Sequence, residues 1–551
     1  MLQDSAKQPY IGISTTLSAS PRALPPHASS ALTTENQLLK LLSDELFSLC
    51  LSSDSISEDG LREIIERHSN SNISNYQFFH AACFNVRVTE GIIRYLLEYF
   101  PDAASAIDEN GQLRPLHFAC INPNVTPNIV QLLIDAAPIS VRSEDNIGRL
   151  PLHCLCSNDK VDEIAELEIL KLLMQKFPEA IRHADNKGYL PIHRAAMASK
   201  SSEYCQVLID AYPGSERIGA MDGMLPFHFA CGYNTLATVE YLYKVYPDAI
   251  NHTTPSTNGH YPIHYAISSM GGRDDPAAAV DVVQFLLDCD SAVKLQTIEE
   301  ESLLYYTCQR EYNDSNILAG IEIIKIIYDA HPETIEEYLN GPNINASNIQ
   351  RYHHQQVQTF INNKLFYARQ AKDHRLMMTP DGSGQLPLHR ALQSNVRLGS
   401  IKLLVKGNPS AIRNFDQSGV IPLHLACRHD DSATVVQYLV GLDATTLDAV
   451  DKEGNTALHY ACRGAKYETI AMLLETYNAV SVSRRNARKK LPIDLLWESN
   501  VVEDRDGIVH TESVFRLLKA YPEIVMDSNM DMKQPAAADA TQNGKKRKFG
   551  K

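Results

Sequence analysis

The chain has 551 residues, 44% hydrophobic and 21% charged, and a net charge of −15. That acidity argues against a general nucleic-acid binder, whose affinity comes from neutralising phosphates. No apolar run reaches the ~18 to 20 residues needed to span a bilayer, since the best candidate, Ile317 to Tyr328, is broken by Glu322 and Lys325.

Residues 1–34 are rich in Ser, Pro and Ala, lack the apolar stretch of a secretory signal and hold a single Arg, too few for a mitochondrial presequence. They read as a disordered segment. Thr34-Glu35-Asn36-Gln37 fits a capping box that opens a helix to about Cys50, with Leu38, Leu42, Leu46 and Leu49 on one side. A second, more charged helix is expected near Ser57 to Arg67. Together they make an N-terminal helical cap over residues 35–72.

From there a short phrase recurs: an aliphatic or aromatic residue, Pro, an apolar residue, then His. It stands at Leu150-Pro151-Leu152-His153, Leu190-Pro191-Ile192-His193, Leu225-Pro226-Phe227-His228, Tyr261-Pro262-Ile263-His264, Leu386-Pro387-Leu388-His389 and Ile421-Pro422-Leu423-His424. Variants at His80, His117 and His459 extend the ladder. Its steps are 37, 36, 40, 35 and 36 residues, then 125, then 35 and 35. A period of that length means stacked supersecondary units, each with an apolar face that its neighbours must cover.

Within one copy, Asp416-Gln417-Ser418-Gly419 is a turn signal, repeated from Asp108, Asp145, Asp185, Asp381 and Asp451. Pro422 suits the first helical position, where its missing N–H costs nothing. A short helix follows, carrying His424, Ala426 and Cys427 inward. After a polar break at Asp430, Asp431 and Ser432 comes a second helix, Ala433 to Val440. In other copies that helix stops before a proline (Phe100-Pro101, Phe177-Pro178, Tyr212-Pro213, Tyr246-Pro247, Tyr521-Pro522), which predicts an extended return.

Asp451-Lys452-Glu453-Gly454-Asn455-Thr456-Ala457-Leu458-His459 resembles the ankyrin repeat closely, and the other copies resemble a proline-marked variant of it. The resemblance covers roughly residues 73 to 522, with Tyr305 and Asp494 standing in for His. The family's usual Thr three residues before His survives only as Thr456, which puts the usual Thr–His hydrogen bond in question elsewhere. The fold class expected is all-α: a helix-turn-helix solenoid with hairpin-like returns, the N-terminal cap and a helical insertion.

The rhythm fails between His264 and His389. Tyr305 replaces His, Leu303 replaces Pro, and a long insertion follows the helix Ile317 to Ala330. Residues 348–375 read as one helix with Ile349, Tyr352, Val357, Phe360, Ile361, Leu365 and Ala368 on a face. Five basic residues (Arg351, Lys364, Arg369, Lys372, Arg375) against Asp373 leave it at +4. Two readings stand: a helix that patches the weak core of the degenerate copy, or a docking helix for an acidic partner. A change of superhelix direction is expected here. The resulting order is first-arm repeats over 73–300, a degenerate copy with its insertion over 301–376, second-arm repeats over 377–522, and a disordered basic tail over 523–551.

The histidines invite a metal reading, but copies stack ~8 to 10 Å apart and zinc needs its ligands at ~2.0 to 2.3 Å. His117, His153, His193, His228, His264, His389, His424 and His459 are therefore structural, tying one turn to the next. The odd total of eleven cysteines, with no export signal, fits reduced thiols in cytosol or nucleus. Cys83, Cys120, Cys156, Cys231, Cys308, Cys427 and Cys462 each lie three residues past the ladder, in a slot elsewhere filled by Ala196, Ile267 and Leu392. There they act as small hydrophobes. Gly382-Ser383-Gly384 lacks the third glycine and the preceding strand of a dinucleotide loop, and no cofactor, phosphate loop or nucleophile elbow is legible.

Two basic runs remain. Lys545-Lys546-Arg547-Lys548 lies in a polar tail, where it is either a nuclear import signal or a solubilising end. Arg484-Arg485-Asn486-Ala487-Arg488-Lys489-Lys490 occupies the last turn, as a solvated finger or a patch for an acidic ligand. The resemblance implies a non-enzymatic, monomeric scaffold or adaptor in cytoplasm or nucleus that grips other proteins by its turn tips and first helices. Carried onto this chain, the residues just after the turn glycine are Arg149, Tyr189, Met224, His260, Gln385, Val420 and Asn455. The alternative is a nuclear regulatory cofactor whose tail directs import and whose basic insertion helix engages an acidic partner.

Overall fold

The computed structural model describes residues 32–52, 56–68, 75–108, 113–255, 259–273, 275–298, 301–336, 354–429, 433–476, 482–498 and 514–519. The expectations for residues 1–31, the tail from 523 with Lys545 to Lys548, and Ile349, Arg351 and Tyr352 lie outside them. So do the side chains of the capping box, although the helix itself runs Leu32–Leu51.

The fold is all-α, an ankyrin-type stack of helical pairs, with, among the described residues, one two-stranded antiparallel sheet pairing Thr297–Ile298 with Glu301–Ser302. The chain forms two compact units, Met1–Arg194 and Ala195–Lys551. In the first, Leu32–Leu51 and Glu58–Arg67 form the cap, the latter started by Ser57, whose hydroxyl accepts the Gly60 amide. Leu42 and Leu46 are buried where the cap packs on Gln77–Phe84. That helix packs on Pro115–Ile121, which packs on Pro151–Cys156. The partner helices Glu90–Tyr99, Pro127–Ala136 and Glu163–Lys176 stack in the same order, burying Ile93, Leu96, Ile129, Leu133, Ile169, Leu170 and Leu173.

The second unit repeats the arrangement. Its proline-led helices are Pro226–Tyr233, Pro262–Ser268, Pro387–Gln393, Pro422–His429 and Pro492–Glu498, with Leu303–Cys308 and Ala457–Arg463 as copies lacking proline. The helix expected from Ala433 to Val440 is Thr434–Leu442, with Ala433 left-handed at φ 59.

Two expectations are corrected. The return after a proline-ended second helix is not simply extended: in Pro101–Ser105, Pro178–Arg182 and Pro247–Asn251 the proline opens one 3-10 turn, because its fixed φ suits a helical start as well as it blocks continuation, whereas after Pro213 the turn begins at Ser215. The insertion is not one helix over 348–375. Within the described residues it is Gln355–Lys372 followed by His374–Met378. Asp373 separates them at φ −85, ψ 93, its carboxylate accepting the amides of Arg375 and Leu376 and so capping a new helix.

Val357, Phe360, Ile361, Leu365 and Ala368 are buried as the pattern required. The helix lies against Leu398–Gly407 and the turn Pro332–Glu336, with the Phe360 and Tyr328 rings edge to face at 5.6 Å.

Candidate functional site

Each copy presents a turn, and its geometry follows from two residue types. Asp145 Oδ1 accepts the amides of Ile147 (3.0 Å) and Arg149 (2.8 Å). Asp185, Asp381, Asp416 and Asp451 repeat the pattern on the residues two and four further on. Three residues past the Asp, Gly148, Gly188, Gly384, Gly419 and Gly454 have φ from 76 to 79, a region that side-chained residues seldom adopt. In the last turn Asn486 takes the place of Asp, and Lys489 takes the place of glycine at φ 59. Successive tips are joined by backbone bonds: Asn186 to Ile147 (3.0 Å), Gln417 to Ser383 (3.0 Å), Lys452 to Ser418 (3.1 Å) and Ala487 to Glu453 (2.7 Å).

The histidines sit behind the turns. The amide just before the proline donates to the ring Nδ1 of His117, His153, His193, His228, His264, His389 and His424, at 3.0 to 3.3 Å. The Thr456 amide does the same for His459. An Nδ1 that accepts carries no proton, so Nε2 holds it and donates.

Its acceptors are the carbonyls of Arg149, Tyr189, His252, Asn414, Ala449 and Lys490, for His117, His153, His228, His389, His424 and His459, at 3.1 to 3.2 Å. The Thr–His bond is made by Thr456 (2.8 Å); at the other starts the backbone amide alone supplies the ring's partner. Asp494 serves the last copy, accepting the Leu491 amide at 2.8 Å.

Burial pushes these imidazoles down, His117 and His424 to about 4, His153 and His264 to about 3, which keeps the rings neutral at ordinary pH. In His117, His153, His228, His389, His424 and His459 both ring nitrogens are thus spent on backbone, while His264 Nε2 is buried without a partner. Among the described residues no group of three His, Cys, Asp or Glu is placed to hold a metal ion.

The cysteines past the ladder are buried, and burial raises the Cys83, Cys120 and Cys231 thiols far from reactivity. No described helix is long and apolar enough to cross a membrane.

The seven residues after the turn glycine are not equivalent. Arg149, Met224, Val420 and Asn455 are buried, while Tyr189, His260 and Gln385 are half-buried. Arg149 donates through Nε to Asp145 (2.7 Å), and Asn455 donates to Asp451 while accepting from Asn486 (both 2.8 Å). Gln385 reaches Asp416 of the next turn at 3.2 Å. Tyr189 stacks under Arg194, whose charge, with the turn amides, outweighs burial and holds Asp185 below the usual carboxylate range. The outermost residues lie earlier in each turn: Asn146, Asn186, Lys187, Met221, Ser383, Gln417, Ser418, Lys452, Glu453, Ala487 and Arg488 are exposed.

A second ladder escaped the sequence reading. Asn85, Asn122 and Asn158 are buried between the two helices of their copies. The Asn122 amide donates to the carbonyls of Cys83 (2.9 Å) and Asn85 (2.8 Å), and Asn158 donates to those of Cys120 and Asn122 (3.1 Å each). The signal was present, since each lies five residues after His80, His117 or His153.

A family model described as ankyrin repeats (3 copies) matches residues 116–216 and 388–486. Comparison with curated proteins gives no match. The matched stretches contain the same turns, proline-led helices and histidine braces as their neighbours, and the chain contains ankyrin repeats.

Proposed function

We propose that the chain is a non-catalytic scaffold or adaptor that holds other proteins along its turn tips and the outward side of its first helices. Ankyrin repeats are in general protein–protein interaction modules, and the observation that supports a gripping surface here is the division of labour in the turns. The Asp, Gly and His positions are spent on structure, while the residues beside them face outward without regularity of type. Met221 at 78% exposure, Lys187, Lys452 and Arg488 belong to that variable set. Tyr189, His260 and Gln385 are partly presented beside them, whereas Arg149, Met224, Val420 and Asn455 are buried. On the first helices, half-buried Phe118, Tyr265 and Tyr306 and exposed Arg390 each stand one residue past the ladder. Aromatic residues and Arg of this kind anchor interfaces.

The insertion helix contributes less to such a surface than its charge suggests. Lys364 lies over the Tyr328 and Phe360 rings, and Lys372 pairs with Glu336 at 3.0 Å. Arg369 and Arg375 remain outward.

The test is affinity purification of the full chain beside a variant carrying Lys187→Glu, Met221→Asp and Lys452→Glu, substitutions on exposed tips that leave the melting temperature unchanged. Proteins that co-purify with the parent and not with the variant are expected. An identical set of partners would remove the turn tips from the contact surface.

A further inference from the structure

The last turn departs from its sisters at two fixed positions, and both departures move charge in the same direction. Five turns open on an aspartate, Asp145, Asp185, Asp381, Asp416 or Asp451. This one opens on Asn486, which accepts the equivalent two amides, those of Arg488 and Lys490, at 3.0 Å and donates to Asn455. An acid is gone while the hydrogen bonds that shape the turn remain. Where the sister turns have glycine, Lys489 takes φ 59. A side-chained residue in that left-handed region is strained, and strain kept at one position of a repeated motif points to a use for the side chain. The turn thus runs Arg484-Arg485-Asn486-Ala487-Arg488-Lys489-Lys490, five basic residues and no acid, in a chain whose net charge is −15.

Arg484, Arg485, Arg488 and Lys489 are exposed. Arg485 Nη1 donates to the Lys489 carbonyl at 3.0 Å, which fastens the two ends of the turn. The preceding turn adds exposed Lys452, and its Glu453 carbonyl takes the Ala487 amide at 2.7 Å. The basic character continues along the first helices. Arg463 ends Ala457–Arg463, and Arg428 stands at the same place in Pro422–His429, each exposed and four residues past its ladder histidine. The two helix ends touch, since a Cβ on Gly464 would sit 2.6 Å from the Arg428 carbonyl. Burial lowers the His459 ring and the Arg484 charge lowers it further, so that guanidinium lies close to the start of the same helix. Among the described acids on this side, Asp451 is buried and Asp416 and Asp494 are half-buried. The exposed ones, Glu453 and Glu498, each face a cation, Arg488 and Lys490.

We propose that this end of the array is a docking surface for an acidic segment of a partner protein, an extended stretch rich in Glu or Asp that crosses the last turn and runs toward Arg463 and Arg428. From the turn to the far end of Ala457–Arg463 is about 10 Å, seven residues at ~1.5 Å each, a span that three residues of extended peptide cover at ~3.3 Å each. Carboxylates at alternate or third positions of such a peptide meet cations at both ends of the helix. A short acidic peptide suits the surface better than nucleic acid does, because the basic stretch is two copies wide and the rest of an acidic chain repels a longer polyanion. The surface is one part of the tip face proposed above, so the inference rests on that reading and adds the chemistry of the partner.

Fluorescence anisotropy on the full chain tests it. The probes are a labelled peptide of about twelve residues alternating Glu and Ser, long enough to cross both copies, the same peptide with Gln for Glu, and a single-stranded DNA of equal charge. The Glu peptide should bind and the Gln peptide should not, and binding should weaken as salt rises. Arg463→Ala and Arg484→Ala should each weaken it about two- to fivefold, the worth of one exposed ion pair. Lys171→Ala, exposed on Glu163–Lys176 of the first unit, should change nothing. Lys489→Gly separates charge from structure, since relief of strain raises the urea midpoint while loss of the cation weakens the peptide. Equal binding of the Glu and Gln peptides, or affinities indifferent to these substitutions, would overturn the docking surface. Tighter binding of the DNA would overturn the acidic peptide as its occupant. In either case a loss of partners by the tip variant in the affinity purification would still stand, so the two readings fail separately.

Discussion

At the scale of single residues, the last turn shows what the others gain from glycine. Lys489 holds φ 59 where seven sister turns have glycine, and a side-chained residue in that region costs about 1 to 2 kcal/mol. Its neighbours are otherwise normal, with Asn486 accepting the amides of Arg488 and Lys490 at 3.0 Å. Lys489→Gly should therefore raise stability by about 1 kcal/mol, read as a higher urea midpoint; an unchanged or lower midpoint would mean that the lysine makes a contact worth the strain. The turn chemistry was legible because Asp and Gly recur at fixed spacing. The buried Asn85, Asn122 and Asn158 were not read, although their spacing is as regular, because asparagine in a loop looks like solvent-facing turn chemistry until its carbonyl partners are placed across the neighbouring copy. Family analogy alone places the residues after the turn glycine outward. Alternation along the turn in fact points Arg149 and Asn455 back onto their own aspartates.

At the scale of elements, the insertion shows how far an apolar stripe can be trusted. The stripe from Val357 to Ala368 identified the buried face, because helical periodicity depends only on what is near in sequence. It missed the break at Asp373, since a carboxylate that caps a second helix is indistinguishable in the sequence from one on a solvated face. It also gave no hint of the contact between Ile317–Ala330 and Leu398–Gly407, which are separated by the whole insertion. That contact depends on the absence of a side chain. Gly399→Ala places a methyl 2.5 Å from the Tyr328 ring and 2.9 Å from its carbonyl, so the helices must part and strain the bonds of Tyr328 to Ser400 and of Asp329 to the Gly399 amide. Overpacking of this kind costs about 1 to 3 kcal/mol, and chemical denaturation should show the loss. A midpoint equal to that of the parent would mean that the two helices leave room for a methyl beside the Tyr328 ring.

Over the whole molecule the ladder couples folding to pH, and the sign follows from the rings' protonation. The folded chain keeps His117 and His424 neutral down to about 4, and His153 and His264 down to about 3, because burial penalises the imidazolium. In the unfolded chain each titrates near 6.5. Below that value the unfolded state binds protons that the folded state refuses, so stability is intact above about pH 6.5 and falls as the pH drops toward 4. A ring held at about 4 costs up to roughly 3 kcal/mol once the shift is fully expressed. Even part of that, repeated at several rungs, is large beside the 5 to 15 kcal/mol typical of a domain. Carboxylates act in a different window: against the opposing effect of burial, Asp185 is held below its ordinary range by Arg194 and the turn amides, and Asp451 by hydrogen bonds from Asn455, Tyr460 and the turn amides, so their contribution fades only as the pH falls below about 4. The two effects are therefore separable. Between about pH 6.5 and pH 5, where carboxylates remain ionised, the urea midpoint followed by circular dichroism should fall steadily, and His153→Gln should shallow the slope while lowering the midpoint at neutral pH. A midpoint flat across that interval would mean that the buried imidazoles take up protons in place, and that the bonds drawn from their ring nitrogens to the backbone do not hold the repeats together.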